Sequence, residues 1–210
     1  GTWYMGEHAA QRQQEVAALR AGIDHGLTVI DTAEMYADGG AEEVVGQAIR
    51  GLRDQVVLVS KVYPWHAGKA AMHRACENSL RRLQTDYLDM YLLHWRGDIP
   101  LQETVEAMEK LVAEGKIRRW GVSNLDTEDM QALWRTADGE HCATNQVLYH
   151  LASRGIEYDL LPWCQQHSLP VMAYCPLAQA GRLRDGLFQH SDIINMANVR
   201  GITVAQLLLA

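Results

Sequence analysis

The chain has no run of about eighteen apolar residues that could cross a bilayer and no secretory leader, so neither membrane spanning nor secretion is expected. It has no basic run either. Its formal net charge is -7, which argues against a nucleic-acid partner, and the pairs Arg81-Arg82 and Arg118-Arg119 are expected to be solvated surface charge. The four cysteines, Cys76, Cys142, Cys164 and Cys175, show no C-x-x-C spacing, so free thiols in the reducing cytoplasm are expected, not a disulfide or metal framework. No His, Asp and Glu set has metal-ligand spacing, and G-x-G-x-x-G is absent, which removes the usual dinucleotide fingerprint. There is no low-complexity tract, sequence repeat or interdomain linker.

What remains is an ordinary globular composition, 48% apolar and 21% charged, on 210 residues, enough for one domain with a sizeable core. Apolar runs of strand character alternate with helical patterns. Helices are predicted over Gln11–His25 (stopped by Gly26), Glu42–Ile49 (stopped by Gly51), about Lys69–Leu83, Leu101–Glu114 (stopped by Gly115) and Thr127–Thr136, with Asp126 as N-cap. A helix within Tyr158–His167 carries Pro162 in its first turn, Leu187–Val199 reads as one helix, and another starts at Thr203. Strands are predicted over Leu27–Asp31, Val56–Ser60, Tyr87–Leu93, Ile117–Val122, Ala143–Leu148 and Pro170–Cys175.

This alternation predicts an α/β fold with a parallel sheet. The six strands follow a stub at Gly1–Trp3, so the expectation is a single domain over 1–210: a (β/α)8 TIM barrel with its first strand partly present and its eighth strand and helix missing. Such barrels run to about 250 residues, which fits a piece of a longer protein.

Four chemically distinct side chains then fall at or just past successive strand ends: Asp31, Tyr36 five residues later, Lys61 and His94. In a parallel β/α barrel the chemistry sits on that face. Singly, each has a plainer reading: a structural ion pair for Asp31 and Lys61, a surface tyrosine, a satisfied core histidine.

The motifs around them resemble the aldo-keto reductases: G-T-W at Gly1–Trp3, D-T-A-E-M-Y at Asp31–Tyr36, S-K-V at Ser60–Val62, L-L-H-W at Leu92–Trp95, G-V-S-N at Gly121–Asn124, N-Q-V at Asn145–Val147 and A-Y-C-P-L-A at Ala173–Ala178. They run in the family's order along the whole chain, and the bacterial members similar to methylglyoxal reductase look nearest. The resemblance implies NADPH-dependent reduction of aldehydes or ketones, with small 2-oxoaldehydes such as methylglyoxal or aryl aldehydes as substrates. Tyr36 would be the general acid. A free phenol has a pKa of about 10, and a lysine cation close by favours its ionised form. Lys61 would fill that role, Asp31 would keep Lys61 charged, and His94 would orient the carbonyl oxygen.

For the cofactor, the resemblance implies contacts from Thr2, Trp3 and Asp31, from Ser123, Asn124 and Gln146 to the nicotinamide carboxamide, and from Tyr174 stacked on the ring. Cys175, Pro176 and a loop over Leu177–Leu183, with Leu177, Gln179, Gly181 and Leu183, would wrap the pyrophosphate, and Arg182 or Arg184 could reach a phosphate. The family reads the 2′-phosphate after the eighth strand, so the preference for NADPH rests on the resemblance. Trp3, Tyr4, Trp65, His94 and Trp95 would line the substrate pocket, with Trp120, Trp134 and Trp163 left to packing. A monomer is expected. The competing reading is a cofactor-binding regulatory module resembling the β-subunits of potassium channels, with little turnover.

Overall fold

The computed structural model describes residues 1–179 and 182–210. They fall into two compact units, Gly1–Asn145 and Gln146–Ala210.

In the first unit, β1 (Val29–Asp31), β2 (Val57–Val62), β3 (Leu88–Leu93) and β4 (Ile117–Ser123) lie side by side in sequence order, every pair parallel. The crossovers carry α2 (Gly40–Ala48), α3 (Lys69–Leu83) and α4 (Leu101–Ala113), preceded by α1 (Arg12–Asp24) and followed by α5 (Thr127–Trp134). Sequential parallel strands joined by helices are the β/α-barrel pattern that the alternation predicts. Register places Asp31 beside Val59 and Lys61 beside Leu92. Along the sheet the predicted catalytic groups are therefore staggered, Asp31 two residues short of the level of Lys61 and Lys61 two short of that of His94.

The helices form where apolar residues recur at helical spacing. Met72, Ala75, Cys76, Ser79, Leu80 and Leu83 make the buried face of α3, and Leu101, Thr104, Val105, Met108 and Leu111 that of α4. Each buried leucine or methionine contributes about 1.5–3 kcal/mol. Helix α1 ends at Asp24, and Gly26 at φ +83° provides the left-handed residue that reverses the chain. Asp126 caps α5 by accepting from the Asp129 N–H at 2.9 Å.

Two expectations change in this unit. Strand β2 continues to Val62, so Lys61 lies inside the strand and not past it. Arg82 is not solvated surface charge: its Nε donates to Glu42 Oε2 at 2.6 Å, and the Glu42 carboxylate is fully buried. Glu42 Oε1 also accepts from Ser60 Oγ at 2.6 Å. Arg118, although more than half exposed, pairs with Asp89 at 2.9 Å and lies over the Tyr87 ring.

In the second unit, β5 (Asn145–Leu148, its first residue belonging to the first unit) neighbours β6 (Val171–Tyr174), with α6 (Leu160–Gln166) between them. Pro162 sits in the first turn of α6, where a missing N–H is harmless. The helix expected over Leu187–Val199 is two helices, α7 (Arg182–Gln189) and α8 (Ser191–Arg200). The break is His190: its backbone is extended, and its Nδ1 accepts from the Asp192 N–H at 3.3 Å, capping α8. Helical periodicity runs through this point, but an N-cap bond interrupts the backbone ladder. Helix α9 (Val204–Leu209) opens on a capping box in which Thr203 and Gln206 satisfy each other's backbone N–H. No helix is long and apolar enough to cross a membrane among the described residues.

Candidate active site

Lys61 is the centre of the site. Its side chain is 1% exposed, and its ammonium donates to three oxygens: Asp31 Oδ1 at 2.8 Å, the Thr32 carbonyl at 2.8 Å and the Tyr36 hydroxyl at 3.2 Å. Three donors thus meet three acceptors, which is the full capacity of an ammonium group. Burial pulls the Lys61 pKa down from 10.5, and the charge and hydrogen bond of Asp31 push it back. The ammonium also lies 4.9 Å from the centre of the Tyr36 ring. All four predicted catalytic side chains come together in the first unit.

Tyr36 owes its position to a tight turn. Ala37 and Asp38, directly after it, both take left-handed backbone angles, φ 50° and 52°. Such strain in non-glycine residues persists only where the surroundings hold it, and it concentrates at functional sites. From the other side, Trp3 stacks on Tyr36 with ring centres 6.1 Å apart, and the Thr2 hydroxyl donates to the Asp31 carbonyl at 3.0 Å. The segment Gly1–Trp3 is therefore joined to β1.

His94 meets the Tyr36 ring edge-on at 5.9 Å. Its backbone is fixed on both sides: its N–H donates to the Val62 carbonyl at 3.0 Å, and its carbonyl accepts from the Asn124 amide at 3.1 Å. Burial, reinforced by the Lys61 cation and partly offset by Asp31, lowers the His94 pKa from 6.5 to about 4. The imidazole is accordingly neutral at neutral pH. Its Nδ1 is buried with no hydrogen-bond partner among the described residues. A buried N–H left unpaired costs more than a lone pair left unpaired, which favours the proton on Nε2.

An aromatic wall adjoins these groups. It is open to solvent: Trp3, Tyr4 and Trp65 are 43%, 61% and 59% exposed, which separates them from core tryptophans such as Trp120 at 2%. Trp3 stacks on Tyr4 at 5.7 Å, and Trp95 lies 4.9 Å from His94 and edge-on to Trp65 at 5.8 Å. Tyr63, which sequence reasoning missed, completes the wall by stacking on Trp65 at 4.3 Å. Alternation was the available signal, because residues two apart on a strand share a face and Tyr63 is two beyond Lys61. Burial raises the Tyr63 phenol above 10.0, with Glu34 and Asp38 adding to it.

The expected cofactor residues divide between the units. In the first, Ser123 is buried at the end of β4, and Asn124 follows at φ 59° with its amide on Ser123 Oγ at 3.2 Å. A hydroxyl and an amide side by side can both donate and accept, which fits the donor set of a carboxamide. In the second, Gln146 is buried and donates to the Met172 sulfur at 2.8 Å, and Tyr174 ends β6 half-buried. Beyond it Cys175, Ala178 and Gln179 take left-handed φ of 51°, 59° and 49°, and the Ala178 N–H donates to the Cys175 carbonyl at 2.8 Å, closing a tight turn. Pro176 and Leu177 lie within this turn. Gly181 lies outside the described residues, and Leu183 belongs to α7, not to a loop, because the helix already begins at Arg182. A cavity of about 820 Å³ lies within the second unit, bordered by Tyr149, His150, Pro176, Leu187 and Met196.

Comparison with known proteins gives one consistent result. Residues 1–207 match the Aldo/keto reductase family. The chain is 70% identical over 210 residues to methylglyoxal reductase YeaE of Escherichia coli K12, covering all of this chain and 74% of that protein. It is similar to a solved aldo/keto reductase from Klebsiella pneumoniae in complex with NADP and acetate, with 99% identity, a TM-score of 0.96, and coverage of all of this chain and 74% of the other. A thermostable aldo-keto reductase, Tm1743, solved with the inhibitor epalrestat, shares 36% identity at a TM-score of 0.88, over all of this chain and 77% of its own.

Proposed function

Because the chain belongs to the aldo/keto reductase family, with six strands of its (β/α)8 barrel, we propose that it reduces small aldehydes and ketones to alcohols with NADPH, Tyr36 giving the proton. The observation that carries this reading is the Lys61 ammonium held between Asp31 at 2.8 Å and the Tyr36 hydroxyl at 3.2 Å. When bound, NADPH supplies the hydride that goes to the carbonyl carbon. Negative charge then builds on the carbonyl oxygen, and two groups meet it.

Tyr36 transfers its hydroxyl proton to that oxygen, and the phenolate left behind is stabilised by the Lys61 charge until solvent returns the proton. Neutral His94 donates a hydrogen bond to the same oxygen from Nε2 and so orients the carbonyl before reaction. Asp31 keeps Lys61 charged despite its burial. By the family resemblance, Ser123 and Asn124 of the first unit and Gln146 of the second would hydrogen-bond the carboxamide of the nicotinamide, and Tyr174 would stack on its ring. Thr2 and Trp3 in the first unit, and Cys175, Pro176, Leu177, Gln179 and Leu183 in the second, would supply further cofactor contacts by the same resemblance.

Trp3, Tyr4, Trp65 and Trp95 form the substrate wall, which suits 2-oxoaldehydes such as methylglyoxal and aryl aldehydes. The 70% identity to a methylglyoxal reductase supports the first class. We read residues 1–210 as part of one barrel domain acting as a monomer. The four cysteines are all free, and three of them are buried, in keeping with the reducing cytoplasm.

The test is carbonyl-dependent NADPH oxidation by the full-length protein with methylglyoxal and an aryl aldehyde. Tyr36→Phe is expected to lower turnover about 100-fold or more, with NADPH affinity nearly unchanged. Tight NADPH binding with no turnover of any carbonyl would overturn the reading and favour a regulatory module.

A further inference from the structure

Glu34 is a buried carboxylate for which the proposed reaction has no use. It lies two residues before Tyr36, its side chain is 9% exposed, and no Lys or Arg pairs with it among the described residues. A carboxylate in that environment needs hydrogen bonds, and the ones it makes are informative. Oε1 accepts from the Tyr63 N–H at 2.7 Å and lies 3.1 Å from His66 Nδ1. Its own N–H donates to the Lys61 carbonyl at 3.3 Å. One residue of the Tyr36 loop therefore holds both ends of the turn Tyr63-Pro64-Trp65-His66, and its main chain holds the strand that presents Lys61.

That turn carries half of the aromatic wall. Tyr63 and Trp65 stack at 4.3 Å, the His66 ring meets both edge-on, and Trp95 closes on Tyr63 at 6.0 Å. The loop after β3 packs tightly on the same turn, since a Cβ on Gly97 would lie 2.5 Å from Pro64 Cβ. The wall is thus supported from the Trp95 side by packing and from the Tyr36 side by one carboxylate.

We propose that Glu34 is a positioning residue that fixes the Tyr63–Trp65 wall against the Tyr36 loop and so sets the site's preference for carbonyls bearing a flat, bulky substituent. This rests on the reductase reading above. An aryl aldehyde has to lie along the wall while its carbonyl reaches Tyr36 and His94. A small 2-oxoaldehyde reaches the same two groups without spanning it.

The experiment compares wild type, Glu34→Leu, Glu34→Gln and His66→Ala of the full-length protein by steady-state kinetics and near-ultraviolet circular dichroism. Glu34→Leu is expected to raise KM for an aryl aldehyde about tenfold, the equivalent of one lost hydrogen bond to a charged group, and KM for methylglyoxal less than about twofold, with kcat held for both. Glu34→Gln keeps an acceptor for the Tyr63 N–H and is expected to restore the aryl KM. His66→Ala removes the more exposed end of the clamp and should shift the aryl KM in the same direction by about threefold.

The dichroism of the stacked Tyr63, Trp65 and Trp95 rings should weaken in Glu34→Leu whatever the turnover. Equal KM rises for both substrates, a fall in kcat, or no change in either KM would overturn the proposal. If Glu34→Leu does not fold, His66→Ala and Glu34→Gln decide it. If wild type turns over no carbonyl, the reductase reading fails, while the dichroism still reports on whether Glu34 holds the wall.

Discussion

Asp31→Asn tests the electrostatic core of the site, because it leaves Lys61 buried and takes away its countercharge while keeping the shape. A unit charge pair at 2.8 Å is worth about 6 kcal/mol at an effective dielectric constant of about 20. Asp31 is a fifth exposed, so solvent screening removes about half of that, leaving about 3 kcal/mol, at the low end of what breaking a buried pair costs. The same 3 kcal/mol weakens proton binding by Lys61 about a hundredfold.

The sign with pH follows from the direction of the Lys61 shift. Its folded pKa lies below the unfolded 10.5, so the unfolded chain binds more protons between those two values and stability rises with pH across that window. Asp31→Asn extends the window downward. The variant should therefore be less stable than wild type by about 3 kcal/mol at neutral pH, with the gap closing at alkaline pH as Lys61 loses its proton in both. Urea unfolding across pH measures this, and a double-mutant cycle with Lys61→Met isolates the pair. A stability difference that does not vary with pH, or a coupling near zero, would refute the claim that Asp31 holds Lys61 charged.

Other expectations follow from the same contacts. The His94 pKa of about 4 lies below its ordinary 6.5, so the unfolded chain binds the extra proton between those values. Stability should fall by about 3 kcal/mol as pH drops through that window, and His94→Gln should remove this part of the acid limb in urea titrations. Arg82→Met takes the guanidinium from the fully buried Glu42 and leaves it the Ser60 hydroxyl, and should cost about 3–5 kcal/mol by denaturant unfolding. Gly46→Ala would bring a Cβ within 2.6 Å of the Arg82 carbonyl where α2 crosses α3. The overpacking, about 1–3 kcal/mol, exceeds the helix-propensity gain of about 1 kcal/mol, so the melting temperature should fall.

The strand ends were legible because chemistry and periodicity coincide there. Asp31, Lys61 and His94 each close an apolar run, and a parallel sheet has few ways to place such ends apart. Helix α3 was legible to its boundaries, since its apolar spacing runs unbroken from Met72 to Leu83. What was not legible depends on contacts between distant residues. Arg82 looks like half of a surface pair until α2 brings Glu42 to it, 40 residues away in sequence. The break between α7 and α8 depends on a histidine acting as N-cap, a role that propensity assigns to Ser, Thr, Asp or Asn. The role of Glu34 was not legible for the same reason: its 2.7 Å bond to the Tyr63 N–H joins two loops 29 residues apart.

Ser60 and Lys61 are neighbours on β2 and so face opposite sides of the sheet, and each ends on a carboxylate, Glu42 in the helix layer and Asp31 in the interior. The strand is thereby proofread from both faces. A slip by one position would send the ammonium toward the helices and leave a short hydroxyl beside Tyr36, losing both partners at once. Most buried strands can trade one apolar residue for the next with modest damage, whereas this one distinguishes its two faces by charge. Deletion of a single residue within Val57–Val62 should therefore be far less tolerated than deletion in the turn before it, and evolution is freer to change what the strand's side chains are than how many of them there are.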